Sequence, residues 1–341
     1  MNQMLQPFAK NIKFFGQVAQ AVVLKKQYPF SASFITTHRC NFNCSYCNSP
    51  NIREGEMTTE QIYEMIDELA EMGLQRIGFT GGEPLLFKDI GKIISHAKAK
   101  GIMTSMVTNG SLLKNKFAEI KDLDLILLSL DGPKEIHEAV REKGVYEVTI
   151  DAIKLALASG KQVWTQTVIS KANLTQLDFV IDVAEELGFR CLFQPVFNYP
   201  LAADKKTIDQ MIPDNLEYQK AINHLMERKK QGAPIVGSYS YFEYIRDNYP
   251  DKIYPNCKAG FLFCAISPSG IVAPCHFLIK EKGRDWKSGI EEGSFKKAFL
   301  HIKDNTCNGC FCNSYMETNL LFSLNAEATW NAAKTFWELR K

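Results

Sequence analysis

Three cysteines stand in the pattern Cys40-x-x-x-Cys44-x-x-Cys47, and six more gather late in the chain at Cys257, Cys264, Cys275, Cys307, Cys310 and Cys312. Thiolates grouped in this way bind soft metals. Three held so closely can each take one iron of a 4Fe–4S cube, leaving the fourth iron open to a substrate or cofactor. A closed zinc site instead wants four nitrogen or sulfur ligands, and His38 would have to be the fourth. Spacing alone leaves both readings open. In the later group, Cys307-x-x-Cys310 follows Cys275 after a structured insert, a pattern typical of metal sites, with a zinc ribbon as the alternative. Cys191, beside Leu192 and Phe193, reads as a small core residue.

The whole chain supports a metal or redox reading of these thiols. Ten cysteines are many for 341 residues in which Lys10 and Lys13 interrupt any apolar export signal. A cytoplasmic location follows as the expectation, and there disulfides are disfavoured. Apolar residues make up 45% and charged residues 23%, enough for a sizeable core. A net charge of +2 gives no global field for nucleic acid, and no apolar run approaches a membrane span.

Alternating strand-like and helix-like stretches must position the first cysteines. The strand candidates are Ala32–Thr37, Arg76–Thr80, Met103–Thr108, Leu125–Ser129, Val163–Ile169 and Cys191–Val196. The clearest helix runs over Thr59–Met72, with a Thr58-x-x-Gln61 capping box, apolar Ile62, Met65, Ile66 and Leu69, and Gly73 as a stop. Six such units predict a parallel sheet covered by helices, with its chemistry at the C-terminal strand ends. Before them, Met4, Leu5, Phe8, Ile12, Phe15, Ala19 and Val22 predict an amphipathic helix in residues 1–30, and no Asp or Glu occurs before Glu54. That helix packs on the protein or touches an anionic membrane or lipid-like substrate. After the strands come a helix over Asn215–Lys230, a Tyr-rich segment and a hairpin turning at Pro268-Ser269-Gly270.

CNFNCSYC after the first strand, with Thr80-Gly81-Gly82-Glu83-Pro84 after the second, resembles the radical S-adenosylmethionine superfamily over about residues 31–196. The resemblance implies a partial (β/α)6 barrel, and a 4Fe–4S cluster held by Cys40, Cys44 and Cys47 with S-adenosylmethionine on its open iron. It also implies reductive cleavage to a 5′-deoxyadenosyl radical that abstracts hydrogen from an organic substrate. Tyr46 matches the aromatic beside the adenine, and Gly81, Gly82 and Glu83 the segment that binds the methionine ammonium. Asn109 of Thr108-Asn109-Gly110 matches a strand-end amide that can reach the cofactor. Ser129 and Asp131 of Ser129-Leu130-Asp131-Gly132 match the usual ribose contacts, and Arg141 an arginine near the methionine carboxylate. Asn173 matches a frequent asparagine with no role assigned. A flavodoxin- or ferredoxin-type donor would supply the electron.

Cys257-x12-Gly270-x4-Cys275 followed by Cys307-x-x-Cys310 resembles the twitch unit, a shortened SPASM domain. That resemblance implies a small C-terminal α+β domain with Cys257, Cys275, Cys307 and Cys310 on a second 4Fe–4S cluster. It leaves open whether Cys264 or Cys312 takes part. The expected organisation is a basic helix at 1–30, the barrel at 31–232 and the auxiliary unit at 233–341. Four thiolates close that cluster to substrate and suit it to accepting electrons, which favours oxidation or bond formation. The leading expectation is a small or lipid-like substrate in a biosynthetic pathway. The alternatives are a maturase of a ribosomally made peptide and adenosyl transfer to an isoprenoid or lipid; a zinc-bound interaction module leaves TGGEP unexplained. Against the maturase, no winged-helix segment precedes the first strand to grip a leader peptide.

Overall fold

The computed structural model describes residues 27–338 apart from 200, 253, 255–256, 281–282, 304 and 308–309. The expected helix in residues 1–30 lies almost wholly outside them. Ten strands form one sheet in the order β10-β9-β8-β1-β2-β3-β4-β5-β6-β7. They are β1 Ser31–Thr37, β2 Arg76–Gly81, β3 Met103–Thr108, β4 Leu125–Ser129, β5 Gln162–Ile169, β6 Arg190–Pro195, β7 Ile235–Val236, β8 Phe263–Ile266, β9 Ile271–Ala273 and β10 Lys287–Ser288. β1 to β7 run parallel, and helices join the first six.

This is the predicted barrel, built by the predicted elements to within a residue or two. Period-two alternation divides each strand between two faces. Phe34, Ile77, Phe79, Met106 and Ile126 share the main core with Ile62, Met65, Ile66 and Leu69 of the helix Thr59–Glu71. Those four helix side chains are fully buried, and burial stabilises each by roughly 1.5–3 kcal/mol. The helix starts where both halves of the capping box close: Gln61 N–H donates to Thr58 Oγ1 at 3.3 Å, and Thr58 N–H to Gln61 Oε1 at 2.9 Å. On the opposite face of the sheet, Leu125, Leu127, Trp164, Leu192 and Val236 form a separate cluster.

The C-terminal segment does not stand beside this sheet but extends it at both edges. β7 pairs with β6, and β8 pairs in parallel with β1, Ser33 opposite Ala265. The predicted hairpin is present, β8 and β9 pairing antiparallel on either side of the turn. Because β8 continues the alternation of β1, Cys264 lies opposite Ala32 and joins the helix-side core. The helix Asn313–Phe322 then packs against β6 and the helix Tyr239–Asn248. Among the described residues, no helix is long and apolar enough to cross a membrane.

Candidate active site and auxiliary metal centre

Directly after β1 the chain turns through Cys40, Cys44 and Cys47, and distant segments clamp it there. Ser45 N–H and Oγ donate to Val140 O at 2.9 and 3.1 Å, Asn48 N–H to Leu201 O at 3.0 Å, and Ala203 N–H to Tyr46 O at 2.9 Å. All three thiols are partly exposed, and burial raises each, Cys44 to about 11. The protein offsets this only in part. Phe42 N–H points at Cys40 Sγ from 3.4 Å, Ser49 N–H at Cys47 Sγ from 3.5 Å, and Arg141 Nη1 stands 3.9 Å from Cys44 Sγ. Thiols so placed need a cation to become thiolates. One zinc ion would draw its sulfurs to within about 4 Å of one another. Among the described residues, no three His, Cys, Asp or Glu groups are gathered for a single ion. Three thiols on one loop can each take one corner of an iron–sulfur cube.

The end of β2 lies hard against this loop. Gly82 N–H donates to Thr37 O at 2.8 Å and Glu83 N–H to Arg39 O at 2.9 Å. A Cβ on Gly81 would meet Thr37 O at 2.3 Å, and one on Gly82 would meet Arg39 O at 2.2 Å. The two glycines therefore let β2 and the cysteine loop touch, a requirement of the chain itself before any cofactor is considered. Glu83 is fully buried. Its carboxylate accepts from Thr108 Oγ1 at 2.7 Å, Asn109 N–H at 2.8 Å and Leu85 N–H at 3.0 Å, and burial still raises its pKa.

Asn109, Ser129 and Asp131 are buried at neighbouring strand ends, and Arg141 is buried at the C-terminal end of the helix Lys134–Val140. Arg141 Nε donates to Asp131 Oδ2 at 2.7 Å, and Val168 N–H donates to Asp131 Oδ1 at 2.9 Å, so both carboxylate oxygens are engaged. The same guanidinium lies over the Tyr46 ring, 5.7 Å from its centroid. Next to it, burial and Arg141 push His137 down to about 4, and its neutral Nδ1 accepts from Asp131 N–H at 3.2 Å. Asn109 Nδ2 donates to Asn41 Oδ1 at 3.0 Å and stands 4.0 Å from Cys40 Sγ, bracing the cysteine loop. Asn173 is a strap: its Nδ2 donates to Asp131 O at 2.8 Å and Val168 O at 2.9 Å.

In the second cysteine group, Cys257, Cys275, Cys307, Cys310 and Cys312 are linked by electrostatic coupling. Cys257 and Cys307 each raise Cys275 electrostatically, and Cys312, Cys275 and Cys257 raise Cys310, all beneath a larger effect of burial. Asn319 holds the group at the helix Asn313–Phe322: its Nδ2 lies 3.7 Å from Cys257 Sγ, and its Oδ1 accepts from Lys258 N–H at 2.7 Å. Cys264 stands apart, raised to about 12 by burial alone. Cys312 sits at the start of that helix, pushed up to about 11 by burial, with Tyr315 and Ser314 N–H groups drawing it partway back.

Sequence reasoning missed a buried clasp between the two cysteine units. Glu54 accepts from Ser267 Oγ at 2.6 Å and lies 3.1 Å from His38 Nε2, and Ser269 and Lys280 also donate to it. The return of net acid at Glu54 was the only signal, and nothing local marks its partners. Tyr199 was also missed. It lies close enough to Cys47 and Cys312 to feel both thiols, and its ring is 4.9 Å from Phe277.

A family model described as the radical SAM superfamily matches residues 34–175, from β1 past the Asn173 strap. Over that span the chain is similar to the radical SAM superfamily. Among curated proteins the chain is 28% identical over 254 residues to the PqqA peptide cyclase of Granulibacter bethesdensis, covering 70% of itself and 66% of the cyclase. It is 26% identical over 266 residues to the AdoMet-dependent heme synthase of Methanosarcina barkeri, covering 71% of itself and 75% of the synthase. The match thus spans only about two thirds of the cyclase's length. Its fold is similar to Streptococcus suis SuiB bound to S-adenosylmethionine, with a TM-score of 0.65, 16% identity, and 80% of this chain and 66% of that chain covered. For native anSMEcpe with bound AdoMet the TM-score is 0.61 at 19% identity, with 81% and 82% covered.

Proposed function

We propose that this chain generates a 5′-deoxyadenosyl radical and uses it to modify a peptide. The gathering of Cys40, Cys44 and Cys47 with Glu83 and Arg141 at the ends of the strands carries the reading. A 4Fe–4S cluster with S-adenosylmethionine supplies, when bound, the electron that breaks the sulfonium C–S bond. The three cysteines hold that group. Glu83, a buried carboxylate surrounded by donors but by no cation, is suited to the methionine ammonium. Arg141 offers its remaining N–H groups to the methionine carboxylate, while Asp131 fixes it in place and is itself too engaged to serve the ribose. Tyr46 shares an apolar cluster with Val168, Val196 and Tyr199, a wall against which adenine can stack. Residues 31–232 then hold the radical site and 233–341 the auxiliary centre, at Cys257, Cys275, Cys307 and Cys310.

We prefer a peptide to the small or lipid-like substrate expected from the sequence because the chain is similar to a peptide cyclase. A small-molecule reading keeps support from the heme synthase at nearly the same identity. Anaerobic reconstitution tests the core of the proposal. Two clusters require about eight irons. Replacing Cys40, Cys44 and Cys47 together with Ala should leave about half of them and abolish 5′-deoxyadenosine formation with dithionite. Retained cleavage in that variant rules the assignment out. Co-expression with short peptides encoded beside the gene, read by mass spectrometry, separates peptide from small-molecule substrates.

A further inference from the structure

The face of the sheet turned away from the helices carries hydrogen-bonding groups that the protein leaves unused. On β5 and β6 the residues of this face are Trp164, Gln166, Val168, Leu192, Gln194 and Val196, set by alternation and by the separate cluster that Trp164 and Leu192 share. Trp164 is only 9% exposed, yet its Nε1 is buried with no hydrogen-bond partner. An orphaned buried donor costs roughly 1–3 kcal/mol, so its retention asks for a ligand that accepts from it. Above it, Gln166 and Gln194 remain partly exposed although they lie in inner strands. Among the described residues, neither of their side-chain amides has a protein partner.

These three groups rise in a line toward the reaction site. Gln166 lies opposite Ser129 at the end of β4, and Gln194 lies opposite Val168, which shares the apolar cluster of Tyr46 and Tyr199. Across β3 to β6 this face holds no carboxylate and no lysine. Its one cation, Arg190, lies over the Trp164 ring at 5.8 Å. Arg190 is engaged with the Trp164 ring, and a hydrocarbon chain that covered the apolar part of this face would leave the two amides and the indole N–H unsatisfied. An amide complements these groups, since each glutamine offers one acceptor and two donors and Trp164 offers a donor to a carbonyl.

We propose that Trp164, Gln166 and Gln194 form a substrate subsite that grips a backbone amide of the peptide and presents the adjoining residue below Tyr46. The inference rests on the peptide reading and names the part of the peptide that is held. Sites built to pair a buried polar group reject analogues that lack it, so the glutamines set specificity as well as affinity.

The test uses full-length, anaerobically reconstituted protein with S-adenosylmethionine and Trp164 as its sole tryptophan (Trp286→Phe, Trp330→Phe, Trp337→Phe), labelled as 5-fluorotryptophan. The probe is N-acetyl-glycyl-alanine N-methylamide, followed by fluorine NMR, with acetate and 1-hexanol as comparators. The dipeptide should shift the Trp164 resonance saturably, and Gln166→Leu or Gln194→Leu should weaken binding about tenfold or more. Far-UV circular dichroism guards the fold, and Gln166→Met replaces Gln166→Leu should the latter melt early. No saturable shift, equal binding by the variants, or an equal response to acetate or hexanol overturns the subsite. The readout needs no turnover: a sample that binds the dipeptide but yields no 5′-deoxyadenosine removes the radical reading and leaves the subsite standing.

Discussion

Glu83 is the residue on which cofactor binding turns, because a buried carboxylate with three neutral donors and a raised pKa lacks only a cation. Glu83→Gln should weaken S-adenosylmethionine binding by roughly ten- to a hundredfold, the 1.5–3 kcal/mol of a charge-assisted contact, with iron content unchanged. The melting temperature should also fall, since the new amide N–H2 replaces an oxygen that accepts a backbone N–H from Asn109 or Leu85. Equilibrium dialysis under anaerobic conditions gives the affinity, and an unchanged constant removes Glu83 from the site. The motifs made the identity of such residues legible in the sequence, but not their partners. Asn109 and Asp131 matched cofactor contacts, yet their side chains are engaged within the protein, Asn109 with Ser111 and Asn41 and Asp131 with Arg141. A side chain whose partner lies 68 positions away leaves no local pattern to read.

At the scale of elements, apolar runs and turn residues announced the six barrel strands, the Thr58–Gln61 box and the hairpin, because each is stabilised by neighbours in sequence. What escaped was set by distant pairing. β7 has two residues, too few to show a period, and β8 meets β1 across more than 220 positions. The Glu54 clasp belongs to the same class, joining the cysteine loop to the hairpin turn through His38, Ser267, Ser269 and Lys280. Burial opposes its charge, but His38, Lys280 and the two serines outweigh burial and hold its carboxyl well below the usual carboxylate range. A depressed acid gives stability that is present above its unfolded pKa and lost as pH falls through the folded one. Glu54→Gln should therefore cost roughly 3 kcal/mol near neutrality, the lower end for a buried pair because Lys280 reaches solvent. Thermal melts of the reconstituted protein from neutral pH downward should show wild type losing that advantage below the ordinary carboxylate range while the variant stays flat. Parallel pH curves would place the clasp's energy elsewhere.

Across the whole molecule, the parallel pairing of β8 with β1 makes the barrel and the cysteine-bearing C-terminal segment one sheet. The two cysteine units are joined by packed aromatic rings as well: Tyr199 feels Cys47 and Cys312, packs on Phe277, and Phe277 lies 5.7 Å from Tyr315, which feels Cys275. That continuity suits an auxiliary centre that takes up the electron left when a substrate radical is oxidised, and it gives the last prediction its form. Replacing Cys275 and Cys310 with Ala should remove about half the iron and spare the first site, whose clamps come from Val140, Leu201 and Ala203. With dithionite the variant should still form 5′-deoxyadenosine, because that step draws on Cys40, Cys44 and Cys47 alone. Formation of the oxidised peptide product should stop. Metal binding in a small unit is also folding energy, so circular dichroism and melting must be read on the same sample. Zinc in place of iron in anaerobic preparations would make the C-terminal unit a scaffold. Product formed at the wild-type rate would leave the second cluster in place but without an electron to accept, and would turn the reaction toward a redox-neutral rearrangement.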